Sequence, residues 1–268
     1  MSLPLDSHLY LRLAFFLYLL ACLLYLVAWR RDNKRALLGA QCLVSLGFFL
    51  HSTSLVLRCM QAGYLPVTNL FSTLFFFSWA LAATYLYYEF RYRLHASGLF
   101  VMALNLLLLA GTLTRPDHLR PLIPALDTPL FTWHVAFSFL GYAQFAMAFS
   151  LAVLFLLQER INSQRLPVLL SLRKYNEEAI FLGFVFFSLC MLIGSLWAYR
   201  AWGYYFSWNI KGVWSFVVWL FYAGMCHAKF VRRWQGRGYA ILSIAGFGIV
   251  LFTYLGIGLL LSSNHPLS

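Results

Sequence analysis

Charge is scarce in this sequence, and negative charge most of all. Eight Asp and Glu stand among 268 residues; charged residues make up 10% of the chain and hydrophobic ones 62%. Soluble domains carry roughly a quarter charged residues, and no soluble fold has interior enough to hide so large an apolar fraction. Cysteine is sparse and unpatterned. Cys22, Cys42, Cys59, Cys190 and Cys226 show no C-x-x-C spacing, which excludes a zinc knuckle or dithiol redox pair, and no C-x-x-C-H, so the chain is not itself a c-type cytochrome. They read as small packing residues. There is no glycine-rich phosphate loop, no nucleophile constellation, no internal repeat, and no polar segment long enough for a separate soluble domain.

Apolar runs take the place of all these. A membrane-spanning helix needs about 20 such residues, and runs of that kind lie near 9–29, 37–59, 69–89, 97–114, 131–157, 178–199, 211–229 and 238–262. The sequence therefore predicts an all-α, polytopic transmembrane bundle of about eight spans, a single membrane domain over 1–268 with the lipid bilayer as its solvent. The first run is not a secretory signal, because its positive cluster follows the apolar stretch. A net charge of +12 would suggest nucleic acid in a soluble protein. Here the basic residues sit in short clusters between apolar runs, so no nucleic-acid partner is expected. Fourteen of the twenty lie on one side: Arg30, Arg31, Lys34 and Arg35, then Arg91 and Arg93, then Arg160, Arg165, Arg173 and Lys174, then Lys229, Arg232, Arg233 and Arg237. Arg12, Arg58, Arg115, Arg120, Arg200 and Lys211 fall on the other. Cytoplasmic loops accumulate Lys and Arg, which puts both termini outside, together with segments 61–68, 115–130 and 200–210. The proline-rich 115–129 stretch is the longest external loop.

Few residues are left to carry chemistry. His134 falls at the outer end of the fifth span, in WHVAFSFLGYA, and His265 just past the outer end of the eighth, in SSNHPLS. Between them in sequence lies the external segment 197–214, which holds Trp197, Tyr199, Trp202, Tyr204, Tyr205, Phe206, Trp208 and Trp214. Trp and Tyr gather at headgroup depth in any membrane protein. Eight aromatics in one loop and its flanks, with Gly203 allowing close backbone approach, also suit a platform for a large planar ring such as a porphyrin. Flanking histidines would be in place to ligate its iron. Two further histidines lie inside spans, His51 in the second and His227 in the seventh; ionisable residues there are costly and mark function by default. The alternative for each is a neutral ring hydrogen-bonded to a neighbouring helix. At about 1.5 Å per residue, His51 lies ~21 Å from the cytoplasmic end of its span and His227 only a few ångströms from the same end of its own. His8, His95 and His118 fall in tail or loop positions and are expected to be solvated.

Five segments in order resemble a known family. WGYYFSWNIKGVWSFVVW (202–219) is similar to the "WWD" motif of haem-handling proteins, roughly WGxYWxWDPKExW. LPVTNLFSTLFFFSW (65–79) resembles PxSNLYESLxFxxW, HSTSLVLR resembles HxxSLxxR, WHVAFSFLGYA resembles HVxxxxxxYA, and WLFYAGMCHAKF resembles WxxYAxxLHxR. Together they cover about residues 45–268 and resemble the CcsA/ResC branch of System II cytochrome c biogenesis more than the shorter, six-span CcmC of System I. The resemblance implies a bacterial cytoplasmic (inner) membrane protein. It would receive haem b from the cytoplasm and hold it at the periplasmic face, where the haem vinyls react with the thiols of an apocytochrome c C-x-x-C-H segment. It also implies a CcsB/ResB-like membrane partner with a large external domain. By the same resemblance His134 and His265 are the external iron ligands, His51 and His227 the intramembrane histidines of a haem entry site, and Trp202, Gly203, Tyr205, Trp208 and Trp214 the cradle. No catalytic residue is required of this chain, because the substrate cysteines supply the nucleophiles.

The sequence departs from the motif at Asn209 for Asp, Ile210 for Pro, Gly212 for Glu and Phe206 for Trp. Loss of two carboxylates alters the charge offered to haem propionates or a partner, while aromatics and histidines remain. Two readings stand: a subunit of a holocytochrome c synthase (haem lyase) complex, or a haem-binding membrane subunit without ligase activity, in electron transfer or in regulating haem supply. Topology is testable first. Reporter fusions after Asn33, Gln164 and Gln235 are expected to report cytoplasm, and fusions after Gln61, after Pro121 and at the C-terminus the outside; a cytoplasmic C-terminus would overturn the span count.

Overall fold

In the computed structural model, which describes residues 6–117, 119 and 121–256, the chain is helical throughout, with no strand among the described residues. The polytopic helical bundle read from the sequence is the fold observed. Its contacts divide it into two compact units, 1–121 and 122–268.

The N-terminal unit holds α1 (Ser7–Arg31), α2 (Lys34–Ala62), α3 (Leu70–Tyr92) and α4 (Gly98–Leu113), the last entered through a tight turn over His95–Ser97. Side chains placed at the ends decide the boundaries. The Asp6 carboxylate accepts from the His8 N–H and starts α1; Asp32, at φ 51°, ends it; and the Asn33 side chain at once accepts from the Arg35 and Ala36 N–H groups to start α2. Polar Asx caps satisfy backbone donors that hydrocarbon would leave unmet. Gly63, at φ 78°, closes α2, and Asn69 caps α3 through the Ser72 N–H. Inside the unit, helices meet at small residues and through short polar links. Gly47 lies against the Tyr18 ring, Ser54 Oγ donates to the Ser7 carbonyl at 2.7 Å, and Ser78 bonds Asn105 at 2.8 Å.

The C-terminal unit holds α5 (Pro129–Ile161), α6 (Leu169–Trp202), α7 (Ile210–Ala228) and α8 (Arg237–Leu251), which runs into a π-helical turn, Phe252–Gly256. Thr128 caps α5 with Pro129 in its first turn, where a missing N–H costs nothing. Helices α5 and α6 form one long antiparallel seam. His134 meets Cys190, Gly141 meets Gly183, and Ala148 meets Asn176, so that successive contacts are seven positions apart on each helix. A seven-residue contact period keeps one stripe of each helix on the other, in the manner of a coiled coil. The middle of the seam is tight: a side chain at Gly141 would meet the Gly183 carbonyl at 3.2 Å, and one at Gly183 would meet the Phe145 ring at 2.5 Å. Small residues that let backbones approach are the usual basis of helix association in lipid. Phe145 in turn stacks on Tyr222 of α7, centroids 3.5 Å apart, and Ser243 of α8 donates to Asn176 at 2.9 Å.

Seven helices among the described residues are long and apolar enough to span a membrane. The eighth, α7, has 19 residues, about 28 Å at helical rise; its Trp, Tyr, His227 and Lys211 lower its hydropathy without shortening it. Helix α6 starts at Leu169, not at 178 as the apolar run predicts. Its first turns carry Arg173 and Glu177, paired at 2.8 Å one turn apart, so the helix continues beyond its apolar stretch.

The seam makes a stability prediction. Gly183→Val should prise α5 from α6 and lower the thermal unfolding midpoint in detergent by the equivalent of about 1–3 kcal/mol. Gly224→Ala, where a side chain would meet nothing within 4 Å, should leave it nearly unchanged. Equal midpoints for Gly183→Val and the parent would show that the seam does not set the unit's stability.

Candidate functional site

The seam places His134 in the second turn of α5. Its Nδ1 lies 2.9 Å from the Cys190 carbonyl, with the Cys190 Sγ at 3.4 Å. A carbonyl only accepts, so Nδ1 carries the proton and Nε2 keeps its lone pair. Nε2 makes no hydrogen bond among the described residues, and it is not sealed in. The ring is wedged: Gly194, one turn beyond Cys190, has no room for a side chain because one would run into the imidazole. On its other flank the ring stacks over Trp197, centroids 5.8 Å apart and planes at 22°. Trp197 is itself buried, its indole N–H donating to the Ala125 carbonyl at 2.7 Å and its face against Phe131.

From Trp197 an aromatic surface runs outward. Trp202 packs edge-on to Trp197 at 4.7 Å, Tyr204 follows on Trp202 at 6.1 Å, and Tyr205 stacks on Tyr199 at 4.4 Å with planes 5° apart. Phe206 meets Trp208 and Phe216, and Trp214 meets Phe252 of the π turn. Gly203, at φ 80°, ends α6 and turns the chain, a conformation that other residues rarely adopt. Much of this surface is open: Trp208 is 84% exposed and Tyr205 55%. Aromatic residues packed on one another, yet not buried, form a face available to a flat apolar ligand.

Two of the motif departures, Asn209 and Gly212, have a local explanation. Asn209 caps α7, its side chain accepting from the Gly212 N–H at 2.7 Å. Asn performs this as well as Asp, without the charge. At Gly212 any side chain would run into the Ser207 carbonyl, so this turn has no place for the motif's Glu.

The other expected residues lie apart. His51, in α2 of the N-terminal unit, is fully buried between Tyr18 and Phe75, whose ring centroid is 4.7 Å away. Neither ring nitrogen completes a hydrogen bond; the Phe75 main chain faces it without closing one. His227, near the end of α7 in the C-terminal unit, is exposed. His265 and His118 lie outside the described residues.

Two polar clusters escaped the sequence reading. His8 and His95 are not simply solvated. His8 Nε2 donates to Asp117 at 2.7 Å, and Asp117 is also held by both terminal nitrogens of Arg58, a side chain only 2% exposed that lies over the Phe71 ring. His95 contacts Glu89, which is buried and also bonded by Gln41 and Tyr85, while Tyr85 bonds Tyr25. One signal was available: Arg58 and Glu89 are ionisable residues within helical spans, which require partners. Burial raises the Asp117 pKa, but hydrogen bonds and charge from Arg58, then His8, outweigh it and hold the carboxyl below its ordinary value. A depressed folded-state pKa contributes stability that is fully present above the unfolded value, about 3.9, and is lost as pH falls through the folded one. The unfolding midpoint should thus hold from about pH 7 to 5 and drop below about 4, and Asp117→Asn should lower the midpoint at neutral pH and flatten that acid limb. An acid limb unchanged by the substitution would remove Asp117 from the account.

Helical spans, with an aromatic loop beside an imidazole whose Nε2 lone pair is unused, define the class as a polytopic helical membrane protein. Residues 67–265 match the family model described as "Cytochrome C assembly protein", and the chain belongs to that family. It is 30% identical to the cytochrome c biogenesis protein CcsA of Parasynechococcus marenigrum, over 97% of this chain and 95% of that one. It is 31% identical to CcsA of Prochlorococcus marinus, over 85% and 84%, and 28% identical to CcsA of Guillardia theta, over 78% of each. Among solved structures, the cytochrome c haem lyase CcmF shares the fold at a TM-score of 0.73 and 16% identity; the match covers 95% of this chain and 48% of CcmF.

Proposed function

We propose that this chain is a haem-handling membrane subunit of cytochrome c maturation, which carries haem b to the outer face of a bacterial cytoplasmic membrane and presents it to apocytochrome c. One observation carries the reading: His134 is fixed with Nδ1–H on the Cys190 carbonyl and Nε2 free beside the stacked aromatic surface. An imidazole whose second nitrogen is tied to a carbonyl is the usual form of a metal-ligating histidine.

The residues present fit haem. His51 offers a buried imidazole with both nitrogens unpartnered, and the 197–208 aromatics offer a stacking face. When bound, haem would supply an iron that imidazole nitrogens can ligate and vinyl groups to which cysteine thiols add to form thioethers. The protein's contribution is positional. His134, with His265, would hold the iron from the protein side; Trp202, Tyr205, Trp208 and Trp214 would fix the ring plane and limit water and oxygen access; Gly203 would let the loop approach. His51 and His227 would serve haem on its way in. A CcsB/ResB-like protein would supply the external grip on apocytochrome. The alternative, a haem-binding subunit without ligase activity, draws support from the uncharged capping turn at Asn209 and Gly212.

Optical and pyridine-haemochrome spectra of the purified chain test this. The parent should hold low-spin haem b. His134→Ala should move it to high spin or to the oxidised state with near-normal expression, and Trp208→Ala should lower occupancy without changing spin. His51→Ala should lower haem content, partly restored by imidazole. Co-expression with a C-x-x-C-H apocytochrome and the partner should yield covalent haem on the first reading and none on the second. A parent without haem, or a His134→Ala spectrum identical to it, would overturn the site.

A further inference from the structure

A cavity of about 430 Å³ in the N-terminal unit is lined by the polar side chains His8, Arg12, Arg115 and Asp117 and by the apolar Phe15, Phe16, Phe71 and Leu113. Three basic residues, Arg12, Arg58 and Arg115, gather at this one place. Asp117 is the acidic residue among them, and it is already held by the buried Arg58 guanidinium and by His8. Arg12 and Arg115 are exposed at the cavity wall with no acidic partner among the described residues. The cavity therefore combines two guanidinium groups that have no acidic partner among those residues with an apolar lining. The apolar lining reaches the surface of a membrane-spanning helix: Phe16 is 62% exposed on α1.

We propose that this cavity binds the phosphate of an anionic phospholipid, held between Arg12 and Arg115, with the acyl chains leaving along Phe15 and Phe16. Guanidinium groups match phosphate oxygens in paired hydrogen bonds, and the volume suits a headgroup. Arg58 tightens the site indirectly, because it fixes and neutralises the one carboxylate that would repel the phosphate. Free inorganic phosphate offers the same charge without the apolar body, so the two sources separate experimentally. The inference stands apart from the haem reading.

Native mass spectrometry of the delipidated full chain tests it, with phosphatidylglycerol, phosphatidylcholine or inorganic phosphate added. One phosphatidylglycerol should be retained in preference to phosphatidylcholine, and inorganic phosphate should compete poorly. The Arg12→Gln, Arg115→Gln double variant should retain it at least about tenfold less well, since two charge-assisted hydrogen bonds are lost. Arg200→Gln, at another outer position, should behave as the parent. Size-exclusion profiles check that each variant is folded. Equal retention of the two lipids, undiminished retention by a folded double variant, or displacement by inorganic phosphate at equal concentration would each overturn the proposal.

Discussion

The seam between α5 and α6 is the constraint on which the candidate site depends. Three contacts at seven-residue spacing lock the register of the two helices, with Gly141 and Gly183 at the tightest point. The outermost contact in that register sets His134 beside the Cys190 carbonyl. A slip of one turn would move the imidazole about 5 Å along α6, away from the carbonyl that fixes its tautomer and from the gap left by Gly194. The packing in the middle of the unit and the chemistry at its end are thus one arrangement. The aromatic loop inherits its place from the same helix: Trp197 is buried on α6, and Trp202 and Tyr204 are built outward from it.

A second constraint is the solvent. Hydrocarbon does not hydrogen-bond, so a polar side chain in a span must be satisfied within the protein or be held for something that will arrive. Most interior groups here follow the first course, as Trp79 does with Ser52, Trp219 with Ser188, and Asn176 with Ala148 and Ser243. Among the described residues seven buried side-chain atoms lack a partner, and two of them are the nitrogens of His51. A tyrosine hydroxyl left alone is one unmet group; His51 has two ring nitrogens without a completed hydrogen bond, though the Phe75 main chain faces it. That environment supports the haem-entry role proposed for His51, which lies in the other unit from His134.

Much of this was legible in the chain. Long apolar runs and the placement of basic clusters define the helices, because length and composition are what a bilayer selects. The order of the motif segments and the aromatic density of 197–214 point to the candidate site region. Elsewhere local signals compete or vanish. Helix α6 extends back to Leu169 through charged turns that no apolar run marks. Gly194 and Cys190 look like ordinary span residues, and their role against His134 exists only once two helices are in register. The Arg58–Asp117–His8 and Glu89–His95 clusters join residues far apart in sequence, and the histidines in them look solvated until their partners are in place.

The most direct test of the central claim is the identity of the atoms on the iron. The full chain, produced with 15N-labelled histidine and unlabelled haem, would be purified and its ferric haem examined by pulsed electron paramagnetic resonance for hyperfine coupling to 15N. The account predicts strong axial coupling to histidine 15N in a low-spin centre, with one ligand's contribution absent in His134→Ala. Bound haem that shows no histidine 15N coupling, or coupling indifferent to His134, would contradict it.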